Sequence, residues 1–135
     1  MIETTSGLAK LLKLARHEAH AQRVDLAEID RATSATKGSL EEVDVAIGEE
    51  AANASSPTDA LRFQDAMRSR RLHLRGNLLA LQKSGEETRQ RLQTAMVEIN
   101  KLEHLISLHD AAAQKRDAKK QQNTLDEFAA RAARI

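Results

Sequence analysis

Two strings of mostly apolar residues at alternating three- and four-residue spacing, one on each side of the single proline, constrain this chain more than anything else in it. The first runs Leu8, Leu12, Ala15, Ala19, Gln22, Leu26, Ile29, Thr33, Thr36, Leu40, Val43 and Ile47. The second runs Ala60, Phe63, Met67, Arg71, Leu74, Leu78, Leu81, Gly85, Thr88, Leu92, Ala95, Ile99, Leu102 and Ile106. A stripe that recurs every 3.5 residues stays on one face of a slightly underwound helix, which is the signature of a coiled coil. Between the strings stands Asn53-Ala54-Ser55-Ser56-Pro57-Thr58-Asp59. Pro57, with no N–H and a fixed φ, suits a first helical position; Ser56 before it can cap, and Asp59 completes an S-x-x-D capping box. The expected fold is therefore all-α, a long antiparallel two-helix coiled-coil hairpin whose second helix is longer than the first. Its expected parts are a helix over about 6–53 capped by Thr5 or Ser6, a turn at about 54–56, a helix over about 57–122, and a C-terminal tail over 123–135.

Composition fits that economy. Thirty per cent of the 135 residues are charged, 21 Lys and Arg against 20 Asp and Glu, and only Phe63 and Phe128 are aromatic. A compact core is hard to build from so few large side chains, whereas a two-helix seam needs fewer. The absence of cysteine excludes a disulfide framework and thiolate metal sites. No apolar run approaches a membrane span or a signal segment, so a soluble protein is expected, with any membrane association made through a partner.

Folding the strings together about Ala54 places residue n near about residue 107 − n, so that Ile29 is expected near Leu78, Leu26 near Leu81, Ala15 near Leu92, and Gln22 near Gly85. Thr36 falls near Arg71, and the acids Glu41, Glu42, Asp44, Glu49 and Glu50 fall beside Arg62, Arg68, Arg70 and Arg71. Each arm of about 50 residues would measure roughly 75 Å at 1.5 Å per residue. Ser39-Leu40-Glu41-Glu42 after Gly38 and Ser84-Gly85-Glu86-Glu87 both read as possible helix breaks, but the seam runs straight through each. Breaks there would give four shorter helices instead, as in an adaptor or chaperone bundle. An extra four-residue step from Met67 to Arg71 suggests a local change in supercoil near the tip.

In this register the first arm runs out opposite about Ile106, leaving 107–135 without a partner in the same chain. Leu105 and Leu108 flank its start, and a basic stretch follows: Lys115, Arg116, Lys119 and Lys120. Thr124 is then placed to cap a last helix with Leu125, Phe128, Ala129 and Ala132 on one face. An apolar face with nothing of its own to cover it is a docking site or a frayed end.

Sites of chemistry are weakly represented. His17 and His20 are three residues apart, not the four of a zincin pair, and His104 and His109 point to different faces, so solvated surface histidines are the expected reading. The glycines are isolated and form no phosphate loop. A serine–histidine pair without strand or elbow context is no triad. Neither enzyme, cofactor nor metal is expected. The densest basic patch, Arg68 to Arg75, suits cross-arm pairing with Glu41 and Glu42 or an acidic partner. Without interleaved aromatics or an overall basic charge, nucleic acid is not expected.

A helical hairpin whose longer second helix carries Lys119-Lys120 and then Leu125-Asp126-Glu127-Phe128-Ala129-Ala130-Arg131-Ala132-Ala133 resembles the FliJ family, small cytoplasmic components of the bacterial flagellar type III export apparatus. The tail looks like that family's hydrophobic-D-E-[F/L]-A ending; Leu8 to Arg16 is similar in its leucine–lysine repeat. The resemblance implies a monomeric, non-enzymatic stalk similar to the coiled coil of the rotary ATP synthase γ subunit. Such a stalk enters the hexameric flagellar export ATPase, promotes assembly of its ring, contacts the export-gate membrane protein and helps handle export chaperones. It implies Lys119, Lys120, Leu125, Asp126, Glu127, Phe128 and Arg131 as ring-binding residues, and Phe63, Met67, Arg70 and His73 as gate-binding candidates. The implied location is cytoplasmic, peripheral at the inner-membrane export apparatus. A helical-bundle adaptor or chaperone of another secretion system, or a generic coiled-coil scaffold, is the alternative.

Overall fold

The computed structural model describes residues 2–53 and 56–134. The fold is an all-α helical hairpin of two helices, α1 (Ile2–Asn53) and the longer α2 (Pro57–Ala133). Both run unbroken through Gly38 and Gly85, so the four-helix alternative does not occur. The start of α2 follows from its cap. Ser56 Oγ accepts a long bond from the Asp59 backbone N–H at 3.5 Å, and the Ser56 carbonyl accepts from Ala60 N–H at 3.0 Å. Of the expected turn, Ala54 and Ser55 lie outside the described residues.

Two boundaries differ from expectation. The first helix is already formed at Ile2, which puts Ser6 inside it; no proline interrupts the lead-in, and the first turns continue into the Leu8 seam. At the other end α2 continues through 123–133 instead of releasing a separately capped tail. Thr124 Oγ donates back to the Lys120 carbonyl at 2.9 Å, the bond of a mid-helix threonine, not of an N-cap.

The chain packs as two compact units, Ala19–Gln93 and Met1–Glu18 with Thr94–Ile135. In the Ala19–Gln93 unit the arms are antiparallel, and every seam position is buried or half-buried. The register is one heptad away from that expected: Ile29 Cγ2 lies 3.4 Å from where a Cβ on Gly85 would stand, so n faces about 114 − n. A shallow groove lined by Ile29, Thr33, Leu81 and Gly85 follows the same register. So do the flanking ion pairs Asp44–Arg71 at 2.9 Å and Asp30–Arg89 at 3.4 Å.

Volume explains the shift. Seams of period seven fit equally well when slid by seven, so side-chain size must choose. The expected register would set Gln22 over Gly85 and Thr36 beside Arg71, gathering the weak layers together. The observed one sets the bulky Ile29 on Gly85 and brings Thr33 to the level of Leu81. It also brings Thr36 to that of Leu78, and Gln22 to that of Leu92. Seam threonines keep their hydroxyls satisfied at no cost to the partner helix. Thr33, Thr36 and Thr88 each donate to the carbonyl four residues back, at 2.8, 2.9 and 2.8 Å.

In the Met1–Glu18 and Thr94–Ile135 unit, the arms are joined by Arg16–Glu103 at 3.1 Å, the same offset as Asp30–Arg89. Ala95, Ile99 and Leu102 are buried there, with Leu8, Leu12, Ala15 and Ile106 half-buried. Among the described residues no large side chain of either unit is fully enclosed. Each layer therefore yields only part of the roughly 1.5–3 kcal/mol of a buried aliphatic residue, and stability comes from the number of layers.

Two glycines separate packing from propensity. A Cβ added at Gly38 meets nothing within 4 Å, while one at Gly85 touches Ile29. Gly38→Ala is expected to stabilise by about 1 kcal/mol through helix propensity. Gly85→Leu is expected to cost about 1–3 kcal/mol through overpacking. Urea midpoints read both; a destabilised Gly38→Ala or a stabilised Gly85→Leu contradicts this packing.

Candidate functional site

The register decides which part of α2 is covered. Leu8 reaches the level of Ile106, His109 is the last half-buried residue, and every described residue from Asp110 to Arg134 is exposed. The exposed segment thus begins at Asp110, three residues beyond the expected 107.

Within this segment Lys119, Lys120, Leu125, Asp126, Glu127, Phe128 and Arg131 all lie on one continuous helix, and all are exposed. Leu125 and Phe128 are 64% and 74% exposed and one turn apart, so they share a face with Ala129 and Ala132. Asp126 is oriented by Gln122, whose Nε2 donates to Oδ1 at 3.1 Å. The helix closes with a turn in which Arg134 N–H donates to the Arg131 carbonyl at 3.2 Å. The arrangement offers a large aromatic and an aliphatic anchor on a pre-formed helix, with Lys119 and Lys120 before it. Such a surface has the form of a helix that docks its apolar face into a groove.

The four residues near the start of α2 are divided. Phe63 and Met67 are half-buried seam members, whereas Arg70 and His73 are exposed. The structure therefore gives Phe63 and Met67 packing work against α1 and leaves Arg70 and His73 open to solvent. Of the arginine patch, Arg71 is tied to Asp44, with its own side chain 28% exposed. Its Nε is buried without a hydrogen-bond partner. Among the described residues Arg62, Arg68, Arg70 and Arg75 form no ion pair within 4 Å. Glu41, Glu42 and Glu49 instead line a shallow groove on α1 with Gly38, Val45 and Ala46.

Among the described residues no three His, Asp or Glu side chains converge, and no helix is long and apolar enough to cross a membrane. Compared with known proteins, the chain matches no family model, no curated protein and no solved structure.

A seam arginine with a buried, unbonded Nε is a poor use of a core position. Arg71→Met is expected to stabilise by up to about 1 kcal/mol despite losing the ion pair, since apolar replacements of buried pairs are often neutral or favourable. Asp44→Ala, which strands the arginine, is expected to cost up to about 1 kcal/mol, the scale of a partly exposed pair. Chemical denaturation compares them; equal losses for both would show that the pair itself is the stabilising element.

Proposed function

We propose that this chain is a non-enzymatic component of bacterial flagellar protein export, acting as a monomer in the manner its tail's resemblance to the FliJ family implies. The uncovered end of α2 inserts into the hexameric export ATPase and promotes assembly of its ring. Leu125 and Phe128 fill apolar sites of the ring, Lys119 and Lys120 meet its acidic surface, and Asp126, Glu127 and Arg131 set orientation. Arg70 and His73, with Phe63 and Met67 shaping the helix beneath them, are the side turned to the export-gate membrane protein. Export chaperones are handled at the same apparatus, and the protein acts in the cytoplasm, peripheral to the inner membrane.

The observation that carries this reading is the segment beyond Asp110: a formed helix, wholly exposed, bearing two large apolar side chains on one face. A helix that buries nothing in its own chain is stabilised most readily by what it docks into. Its pre-formed state also lowers the ordering cost of docking.

Phe128→Ala is expected to weaken binding to the export ATPase by about tenfold or more, the roughly 1.4 kcal/mol or greater loss of an aromatic anchor. Because Phe128 is exposed, helicity and melting temperature should stay unchanged. Co-purification with the ATPase, quantified by surface binding, reads the effect. Retention equal to the parent protein would remove the tail from the ring-binding role.

A further inference from the structure

The Ala19–Gln93 unit carries a second stripe that the hairpin does not use. Starting at Leu61 and again alternating four- and three-residue steps come Asp65, Arg68, Leu72, Arg75, Leu79 and Gln82, and every one is exposed. At about 100° per residue these positions fall in one arc of α2, roughly a quarter turn or more from the Phe63–Met67–Leu74–Leu78 seam. Leu61, Leu72 and Leu79 are 62%, 75% and 68% exposed. Arg70 and His73 lie on another side of the helix. A helix that only had to zip against α1 needs one stripe; this one has two.

Charge selects what would cover it. Between Leu61 and Leu79 stand five arginines and one aspartate. Only Arg71 has a carboxylate within 4 Å among the described residues, and Arg71 belongs to the seam. Arg68 and Arg75 sit in line with the leucines. A second copy of the chain is a poor occupant: parallel stripes set Arg68 on Arg68 and Arg75 on Arg75, and in either direction each copy brings two stripe arginines against one aspartate, Asp65. A bilayer is also a poor occupant, because burying these leucines would carry two guanidinium groups into the acyl boundary, and the stripe has no aromatic residue to anchor it. A helix is the shape that fits a 3.5-residue repeat, and carboxylates flanking its apolar positions would meet Arg68 and Arg75.

We infer that Leu61, Arg68, Leu72, Arg75 and Leu79 form a docking seam for an acidic amphipathic helix of a partner protein. The leucines pack between the partner's apolar residues, and the arginines select its glutamates or aspartates. This surface is independent of the uncovered end of α2.

The test uses the full chain and a fluorescent synthetic peptide of about three heptads, with leucine at both seam positions and glutamate at the flanks. A second peptide has the same composition in scrambled order. Anisotropy should show micromolar binding of the patterned peptide, at least tenfold weaker binding of the scrambled one, and weakening by salt. Leu72→Glu and the pair Arg68→Glu with Arg75→Glu should each reduce binding at least tenfold while leaving the melting curve unchanged. Phe128→Ala should bind the peptide as the parent does, which separates this seam from the ring-binding role. Undiminished binding by the stripe variants, or equal binding of the scrambled peptide, overturns the proposal. So does co-sedimentation with phosphatidylserine-containing vesicles that Leu72→Glu abolishes while no peptide binds, as does a dimer in light scattering that Leu72→Glu dissolves.

Discussion

The contact of Ile29 with Gly85 is the constraint on which the rest of the arrangement hangs. Two heptad stripes can slide past each other in steps of seven residues with little change in which faces are buried. What distinguishes the steps is whether large side chains find room. Gly85 supplies that room at one place in α2, and Ile29 fills it. Once this layer is set, neighbouring layers pair threonines with leucines, Asp44 reaches Arg71, and Asp30 reaches Arg89. The wrong register would lose packing at the glycine and set weak seam residues against each other, Gln22 against Gly85 and Thr36 against Arg71.

The seam itself was legible in the sequence, residue by residue. Every position of both stripes is less exposed than its charged neighbours, including the unpromising Gln22, Thr33, Thr36 and Arg71. The cap at Ser56 and Pro57 was legible too, because a proline preceded by a serine and followed by an acidic third residue has a local physical meaning. Register was not legible from periodicity, which is degenerate at one heptad; it needed the volumes of Ile29, Gly85 and Leu81 to be weighed against each other. Thr124 misled for a related reason. A threonine before an apolar pair reads as a cap, yet in an uninterrupted helix the same hydroxyl returns to the carbonyl four residues back, as it does at Lys120.

The register also has a functional consequence. It sets which stretch of α2 faces α1, and beyond His109 every described residue of α2 is exposed. From Asp110 onward the helix is sustained by local propensity, in alanine, lysine, glutamine and arginine, and by short-range bonds such as Gln122 to Asp126. Leu125 and Phe128 stand on that helix without cover. The outward stripe around Leu72 shows the same logic in the other unit: apolar residues at helical spacing, interleaved with arginines that no carboxylate of the described chain neutralises.

The chain has no cysteine, so pairs of introduced thiols report register without background. A disulfide requires Cα atoms within about 7 Å, whereas one heptad displaces a residue by roughly 10 Å along the helix. Oxidation of the Ile29→Cys/Gly85→Cys protein is expected to give an intramolecular bond rapidly and nearly completely, while Ile29→Cys/Leu78→Cys stays reduced. The opposite outcome, efficient bridging in the Ile29→Cys/Leu78→Cys protein and free thiols in the Ile29→Cys/Gly85→Cys protein, would contradict the register.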